Sequence, residues 1–275
     1  MNLNRRLLLV DLSHQVYRAA ASHPTLTSDG MFTGGLYGFL VGLAAQIRRA
    51  DATRVVVCAD VKPYERSLTY PAYKQLRRKQ ADEALLMAYN QSLKLVKEAL
   101  AVIGIPIHGQ EGFESDDHIA HFTLSQRGRF DMIYAASNDS DLYQLLSIPN
   151  FNMMRRDDLV SEARLLELTG LTPAEFTLAH ALMGTHNDIE GIPRVGEKTA
   201  FRAVKDPSLL RKLREQWGAL ITRNEQLIQL PHPKLPRVGL PLSGSFRPRD
   251  LYRFCGHFDI EVTKPMLDSF EQVCP

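Results

Sequence analysis

Short apolar runs rich in β-branched residues alternate with longer segments of helical periodicity over the first 160 residues of this chain. The runs have the composition of buried strands, and the longer segments repeat their apolar residues at helical spacing. Alternation of this kind is typical of βαβ units, which build a parallel sheet. We therefore predict an α/β fold with a mostly parallel central sheet flanked by helices. The predicted strands are residues 7–10, 54–59 and 132–136, and the predicted helices are residues 34–49, 81–103, 115–126 and 140–146.

The second part of the chain has a different composition. Residues 161–230 show mainly short helical periods, and residues 231–248 contain five prolines and two glycines. We expect an α/β core over residues 1–160 and a helical part over residues 161–275 that packs on it. A chain of 275 residues can bury such a core without disulfide or metal staples.

Cysteine usage and hydropathy limit where such a protein works. Three cysteines without a CxxC pair support neither a disulfide framework nor a zinc ribbon, and this fits a reducing compartment. The chain has no run of 18 apolar residues, so we expect no membrane-spanning segment. These features predict a cytoplasmic protein.

Acidic residues follow the ends of the predicted strands, where ligands bind in open parallel sheets. A single acid is more often a helix N-cap or a solvated loop group. Several carboxylates in one cleft repel one another and are tolerated only with cations, and an oxygen donor set favours Mg²⁺ or Mn²⁺ over zinc. The HxxH pair lacks the spacing of the zinc motif HExxH, and we interpret it as structural. The strand-end acids are Asp11, Asp60, Asp139 and Asp141; Glu114, Asp116 and Asp117 begin a predicted helix, and the histidines are His118 and His121.

A basic run with interleaved tyrosines follows the second predicted strand. Lys74, Arg77, Arg78 and Lys79 would ordinarily form a solvated helix face. Beside an acidic cleft they favour a different interpretation, in which they neutralise phosphate charge. The neighbouring tyrosines could stack on unpaired bases or pack beneath the basic segment.

Six segments of the chain occur together in the order found in the 5′-nuclease (flap endonuclease) family. The chain resembles that family over nearly its whole length, in the form found at the N-terminus of bacterial DNA polymerase I and as free-standing exonucleases. Its length implies a free-standing, phage-like nuclease, which would work in the host cytoplasm if phage-encoded. The segments are VDLSHQVYRA at 10–19, SDGMFTGGLYGF at 28–39, CAD at 58–60 with RSLTYPAYKQLR at 66–77, GFESDDHIA at 112–120, ASNDSDLYQLL at 136–146 and GIPRVGEKTA at 191–200.

The resemblance implies a PIN-like core, a helical arch near residues 61–103 and a helix-two-turn-helix near residues 184–204. It implies a metal-dependent, structure-specific 5′-3′ exonuclease and 5′-flap endonuclease that acts on DNA, and on RNA primers, in replication or repair. The implied cofactors are two Mg²⁺ ions, for which Mn²⁺ would substitute. The implied ligands are Asp11, Asp60, Glu114, Asp116 and Asp117 for the first metal, and Asp139, Asp141 and Asp188 for the second.

One segment departs from the family pattern. The family reads GDxxDN where this chain has residues 184–189, so an expected aspartate is Thr185 and the loop after Asp188 is one residue short. A hydroxyl is a poor substitute for a carboxylate, and we expect a weaker second metal site. His186 is an alternative ligand, which would favour Mn²⁺.

The resemblance also implies the residues that contact DNA. Lys74 and Arg77 match the family's catalytic basic residues at the foot of the arch. The turn in GIPRVGEKTA is expected to bind duplex phosphates without reading sequence and to hold K⁺ through its carbonyls. We expect a monomer that binds DNA with 5′ flaps or 5′ ends. The DNA-binding residues are expected to be Arg66, Tyr70, Tyr73, Arg194, Gly196, Lys198 and Arg202.

The distribution of charge agrees with this expectation. The 31 acidic residues include the eight assigned to metal sites, which leaves 23 against 33 basic residues elsewhere. An excess of about +10 is what a nonspecific DNA-binding surface requires.

Two other functions remain open from the sequence. A PIN-like ribonuclease would also use clustered aspartates on a parallel sheet, although the GIPRVGEKTA turn favours a duplex. A structure-specific DNA-binding protein with weakened catalysis would explain the altered second site, although eight retained acids favour an enzyme.

Overall fold

A central six-stranded sheet organises the protein, which a computed structural model describes over residues 4–75, 82–155, 158–185 and 187–275. The strand order is β5-β4-β1-β6-β7-β8, and every neighbouring pair is parallel except β7 and β8. The predicted α/β fold with a mostly parallel sheet is confirmed. The strands are β1 (Arg6–Asp11), β2 (Thr27–Ser28), β3 (Met31–Phe32), β4 (Arg54–Cys58), β5 (Ile107–His108), β6 (Met132–Ala136), β7 (Phe151–Arg155), β8 (Asp158–Val160), β9 (Gly184–Thr185) and β10 (Ile189–Glu190).

Helices cover both faces of this sheet, which is why its central strands are apolar without alternation. All four residues from Leu7 to Val10 are fully buried. The helices are α1 (Leu12–Ser22), α2 (Gly34–Ala50), α3 (Glu65–Thr69), α4 (Glu83–Ile103), α5 (Ser115–Gln126), α6 (Glu162–Thr169), α7 (Pro173–Met183), α8 (Glu197–Lys205), α9 (Pro207–Ile228), α10 (Pro248–Gly256) and α11 (Lys264–Val273), with a 3-10 helix at Ser140–Ser147.

The elements predicted in the first 150 residues lie where their patterns place them. The three predicted strands correspond to β1, β4 and β6, and the predicted helices correspond to α2, α4, α5 and the 3-10 helix. Helix α4 begins at Glu83 because the Asp82 carboxylate accepts hydrogen bonds from the N–H groups of Ala84 and Leu85. Strand β7 was not predicted from the sequence.

The helical second part contains mainly short helices, as predicted over residues 161–230. Helix α9 spans 22 residues but consists of two shorter helices joined at a kink. Its helical geometry is interrupted at Trp217, where φ is −127° and ψ is 22°. That break divides the apolar periodicity into two shorter segments, and this explains the prediction.

Residues on both sides of position 160 build the core. On one face, apolar residues of α10 and α11 pack with those of α1, α2 and α4. On the other face, α7, α8 and α9 pack with α5 and the 3-10 helix. The boundary expected near residue 160 stays a prediction. Among the described helices, none combines the length and hydropathy needed to cross a membrane.

Candidate active site

Three neighbouring strands deliver carboxylates to one edge of the sheet. Asp11 is the last residue of β1, Asp60 follows β4, and Asp139 follows β6. Strand β1 lies between the other two, with Asp11 opposite Cys58 and Val10 opposite Ala136. These acids are therefore brought to the same edge, as the strand-end pattern predicts.

Two serines fix the Asp11 carboxylate. Ser115 at the start of α5 donates from Oγ to Asp11 Oδ1 at 3.0 Å, and its backbone N–H donates to Asp60 Oδ1 at 2.9 Å. Ser137 donates from Oγ to Asp11 Oδ2 at 3.0 Å and accepts the N–H of Asp139 at 3.1 Å. Sequence reasoning missed both serines, although each stands one or two residues from an acid in a matched segment.

Burial and charge perturb the ionisation of this edge. Burial, followed by the charge of Asp60, raises the pKa of Asp11 from 3.8 to about 7, against hydrogen bonds that lower it. Without a bound cation, Asp11 therefore keeps its proton up to about neutral pH, beside the carboxyl group of Asp60. A bound cation would favour the ionised form of both.

The helix α5 begins with a second acidic group. Glu114, Asp116 and Asp117 are buried, and one oxygen from each lies within 4.8 Å of the others. Asp116 Oδ1 is buried and has no hydrogen-bond partner among the described residues. Burial and the charges of Glu114 and Asp117 raise the Asp116 pKa well above its usual value. An unpartnered buried carboxylate oxygen in an all-oxygen donor set fits a hard divalent cation.

Asp117 accepts four hydrogen bonds from the described residues, one more than Glu114. The Arg66 guanidinium donates to both Asp117 oxygens, at 2.6 and 2.8 Å. The backbone N–H groups of His232 and Glu114 donate to them as well, at 2.7 and 3.2 Å. A carboxylate offers about four acceptor positions. The structure thus uses Asp117 to hold Arg66, and the expectation that Asp117 also binds metal stays a prediction.

Arg66 is also placed differently from its prediction. Its side chain is only 3% exposed, and its guanidinium lies between acids and backbone carbonyls inside the protein. An arginine with this burial has no donor at the surface. The expected contact of Arg66 with DNA is therefore corrected to an internal contact.

Lys74 lies at the acidic group, as the basic run predicts. Its Nζ forms a short ion pair with Glu114 Oε1 and lies 5.7 Å from the centroid of the Tyr64 ring. Burial acts to lower the pKa of Lys74, but the charges of Glu114, Tyr73 and Asp116 and the hydrogen bond to Glu114 together hold that pKa well above its usual value. The side chain remains 18% exposed, so the ammonium can face the cleft. Arg77 lies outside the described residues.

The two tyrosines of the basic run pack inward. Tyr73 is 4% exposed and donates from its hydroxyl to Glu114 Oε2 at 2.9 Å. Tyr70 is half-buried, with the Arg223 guanidinium 4.7 Å from its ring centroid. Of the two roles left open by the sequence, the structure shows packing beneath the basic segment for Tyr73.

A second set of acids lies around the 3-10 helix and the β9–β10 hairpin. Asp139 caps the 3-10 helix by accepting the N–H of Asp141 at 2.9 Å. Asp141 contacts His180 Nδ1 at 3.3 Å and Asn187 Nδ2 at 3.4 Å. Asp188 follows Asn187 with a left-handed backbone, φ 62°. Sequence reasoning missed His180 and Asn187.

Thr185 has a structural function in that hairpin. It pairs with Ile189, and its hydroxyl accepts the N–H of Asn187 at 3.2 Å. Gly184 is required beside it because φ is 80° and an added Cβ would lie 2.3 Å from the Ile189 carbonyl oxygen. His186 lies outside the described residues.

The GIPRVGEKTA segment forms an exposed turn and the start of a helix. Gly196 is the N-cap of α8 and is exposed. Arg194, Lys198 and Arg202 are exposed as well, while Ala200 and Ala203 face the core. Lys198 and Arg202 stand four residues apart and so share one face of α8. The geometry offers backbone N–H groups and positive charge at one surface.

His118 and His121 each contact the backbone of a neighbouring segment. His118 is buried and accepts the Gln110 N–H on Nε2 at 3.1 Å, and His121 Nε2 lies 3.0 Å from the carbonyl oxygen of Val238. Because Nε2 of His118 accepts a hydrogen bond, its proton is on Nδ1, which disfavours metal binding there.

Comparisons with known proteins identify the family of the chain. Residues 6–170 match the family model for the 5′-3′ exonuclease N-terminal resolvase-like domain. A 5′-3′ exonuclease of Aquifex aeolicus is 30% identical over 277 residues, covering 98% of this chain and 90% of that protein. A thermostable DNA polymerase I of Thermus thermophilus is 34% identical over 230 residues, covering 82% of this chain and 26% of the polymerase. The chain thus corresponds to about a quarter of the polymerase.

Solved structures show the same fold. T5 5′-exonuclease with bound zinc ions has a TM-score of 0.71 and 19% identity, covering 98% of this chain and 97% of that one. Flap endonuclease-1 from Methanococcus jannaschii has a TM-score of 0.68 and 14% identity, covering 98% and 92%.

Proposed function

The chain belongs to the 5′-3′ exonuclease family, and we propose that it hydrolyses DNA phosphodiesters at 5′ ends and 5′ flaps with two divalent cations. Family membership makes the chain a nuclease. The observation that carries the proposal is the group of buried and half-buried carboxylates that β1, β4 and α5 deliver to one edge of the sheet. The relatives among DNA polymerases I support a role in replication or repair.

Mg²⁺ suits this donor set best, and Mn²⁺ shares its preference for oxygen. The first ion would be held by Asp11, Asp60, Glu114 and Asp116. When bound, such a pair of ions would lower the pKa of the attacking water and stabilise the departing oxygen. The unpartnered Asp116 Oδ1 supports this assignment.

The protein's own residues hold these oxygens in place before substrate binds. Ser115 and Ser137 each bond one oxygen of Asp11, and Lys74 and Tyr73 bond the two oxygens of Glu114. Carboxylate side chains that are held in this way lose little conformational entropy when a cation binds. The entropy of ordering the site is lost when the protein folds and not during catalysis.

Lys74 is proposed as the cation that faces the cleaved phosphate. Its ion pair with Glu114 anchors the ammonium at the acidic edge, and its backbone N–H donates to the Asn187 carbonyl at 3.1 Å. This hydrogen bond ties the basic segment to the hairpin that carries Asp188. A fixed ammonium stabilises the negative charge that develops on the phosphate oxygens. Arg77 is proposed as its partner from the sequence.

Asp139, Asp141 and Asp188 are proposed as a weaker second metal set. The Thr185 hydroxyl accepts a turn hydrogen bond, and Asn187 and His180 contact Asp141. With one carboxylate fewer, water and substrate phosphate would complete the coordination of this ion. It would therefore bind mainly together with DNA.

The α8 turn is proposed as the duplex anchor. Arg194, Lys198 and Arg202 are exposed and would contact phosphates, while the N–H groups that follow Gly196 point out of the helix start. Contacts of this type carry no base information, which supports binding without sequence specificity. A K⁺ ion held by carbonyls of this turn is part of the proposal.

Cleavage of a 5′-flap DNA and of a single-stranded RNA of the same sequence tests the proposal. We expect Mg²⁺-dependent cleavage of the flap, with 5′-phosphate and 3′-hydroxyl products, and no cleavage in EDTA. Preferred cleavage of the RNA would favour a ribonuclease instead. Binding of the flap without cleavage in Mg²⁺ or Mn²⁺ would favour a DNA-binding protein.

A further inference from the structure

We infer that Arg66 is a positioning residue that holds Glu114 in register with the end of α9 and does not contact DNA. The inference rests on the proposed function, since Glu114 is one of the acids assigned to the first metal. Arg66 lies in α3, at the start of the basic segment, and its side chain is buried.

All five N–H donors of its guanidinium are used inside the protein. Nε donates to the Leu227 carbonyl at 2.7 Å, and Nη1 donates to Glu114 Oε2 at 3.1 Å and to Asp117 Oδ2 at 2.6 Å. Nη2 donates to Asp117 Oδ1 at 2.8 Å and to the Gln229 carbonyl at 2.9 Å. Five donors in a rigid planar fork define one position for all of these acceptors.

The acceptors belong to two separate segments. Glu114 and Asp117 stand at the start of α5, whereas Leu227 and Gln229 lie at the end of α9, where a cation also meets the unpaired carbonyls favourably. Arg66 connects α3, which precedes the basic run, to both of these segments. The guanidinium therefore sets the distance between the acidic group and α9.

The end of α9 in turn supports the second acidic set. Asn224 donates from Nδ2 to the carbonyls of Ala181 and Glu190 at 2.8 and 2.9 Å, next to the hairpin that carries Asp188. Gln144 of the 3-10 helix donates to the Ile228 carbonyl at 3.1 Å and accepts the Leu230 N–H at 3.0 Å. A shift of the Arg66 guanidinium would therefore move Glu114 directly. Through the end of α9 it would also move the hairpin and the 3-10 helix that carry the second set of acids.

Arg66→Lys tests the inference because it keeps the charge and removes the fork. A lysine ammonium is a point donor and cannot span two acids and two carbonyls. We expect the variant to fold, with kcat on a 5′-flap reduced about 10- to 100-fold and Mn²⁺ affinity of the DNA-free protein reduced about 10-fold, as for other groups that orient metal ligands. KM, and DNA affinity measured in EDTA, should change less than about 2-fold because no phosphate contact is lost.

Lys234→Ala is the matched control. Lys234 and Glu65 form an exposed ion pair, at 2.7 Å, between α3 and the segment that follows α9. This ion pair joins the same parts of the chain but contacts none of the acids assigned to metal. The kcat and the Mn²⁺ affinity of Lys234→Ala should therefore equal those of the wild type. If Arg66→Lys does not fold, Arg66→Met combined with Asp117→Leu replaces the buried charges by apolar groups of similar shape. That variant should fold and keep the reduced kcat.

Several results would overturn the inference. Wild-type kcat and Mn²⁺ affinity in Arg66→Lys, or wild-type kcat in the double variant, would mean that Arg66 only neutralises Asp117. Weaker DNA binding with a salt slope smaller by about one and an unchanged kcat would mean that Arg66 contacts phosphate. If the wild type cleaves no 5′-flap, the proposed function is wrong. The Mn²⁺ affinities of the wild type and Arg66→Lys, measured by calorimetry, then still decide whether Arg66 positions the acids.

Discussion

Replacing Asp11 by asparagine should stabilise the metal-free protein at neutral pH. The pKa of Asp11 is raised to about 7 in the folded state, first by burial and then by the charge of Asp60. The unfolded chain releases this proton near the ordinary value of 3.8. The stability that Asp11 contributes is therefore fully present below about pH 4 and is lost as the pH rises to about 7.

The size of the effect follows from the two pKa values. Their difference corresponds to roughly 4 kcal/mol. Asparagine has no proton to release, so the variant does not lose this contribution. The difference in unfolding free energy between Asp11→Asn and the wild type should increase in favour of the variant between about pH 4 and pH 7. Above pH 7 it should stay constant.

Urea unfolding in EDTA, followed by circular dichroism over this pH range, measures the difference. Asp131→Asn is the control, because Asp131 is an exposed carboxylate that accepts the Arg5 N–H at 2.7 Å away from the acidic edge. It should show the pH dependence of the wild type. Added Mg²⁺ should stabilise the wild type more than Asp11→Asn. A difference between Asp11→Asn and the wild type that does not change with pH would refute the reasoning.

Three further changes test the remaining parts of the site. Lys74→Ala should slow single-turnover cleavage about 10- to 1,000-fold with a smaller effect on DNA affinity, and an unchanged rate would mean that Lys74 only pairs with Glu114. Lys198→Ala should reduce the salt slope of duplex binding by about one without changing sequence preference, as filter binding at several salt concentrations would show. Thr185→Asp should lower the Mg²⁺ concentration for half-maximal cleavage; an unchanged requirement, with a raised Mn²⁺ requirement in His186→Ala, would instead make the histidine the ligand.

The carboxylates of the site could be predicted because residues that follow parallel strands in the sequence lie together at one edge of the sheet. Asp11 and Asp60 follow the ends of apolar runs, and the ends of neighbouring parallel strands meet at one edge. The start of α5 could be predicted because Asp116 and Asp117 stand in its first turn, where carboxylates stabilise a helix N-terminus. These features depend on local sequence and on one general rule of topology.

The partners of those carboxylates could not be predicted in the same way. Arg66 contacts Asp117 and the Leu227 carbonyl, which lie 51 and 161 residues away along the chain. Nothing in a basic segment distinguishes an arginine that is buried against acids from one that faces solvent. Tyr73 presents the same problem, because its ring and hydroxyl suit either a base or an internal carboxylate. Strand β7 was missed because Asn152 and Arg155 interrupt its apolar pattern.

Asp116→Asn removes a carboxylate oxygen from the buried acids that are proposed to hold the catalytic metal. Single-turnover cleavage of a 5′-flap in Mg²⁺ should be lost in this variant, while its affinity for the same DNA in EDTA stays equal to or above that of the wild type, because one negative charge near the phosphate is removed. Asp131→Asn should cleave at the wild-type rate. Wild-type cleavage by a folded Asp116→Asn protein, or loss of its fold by circular dichroism, would contradict the account by making the acid dispensable or structural.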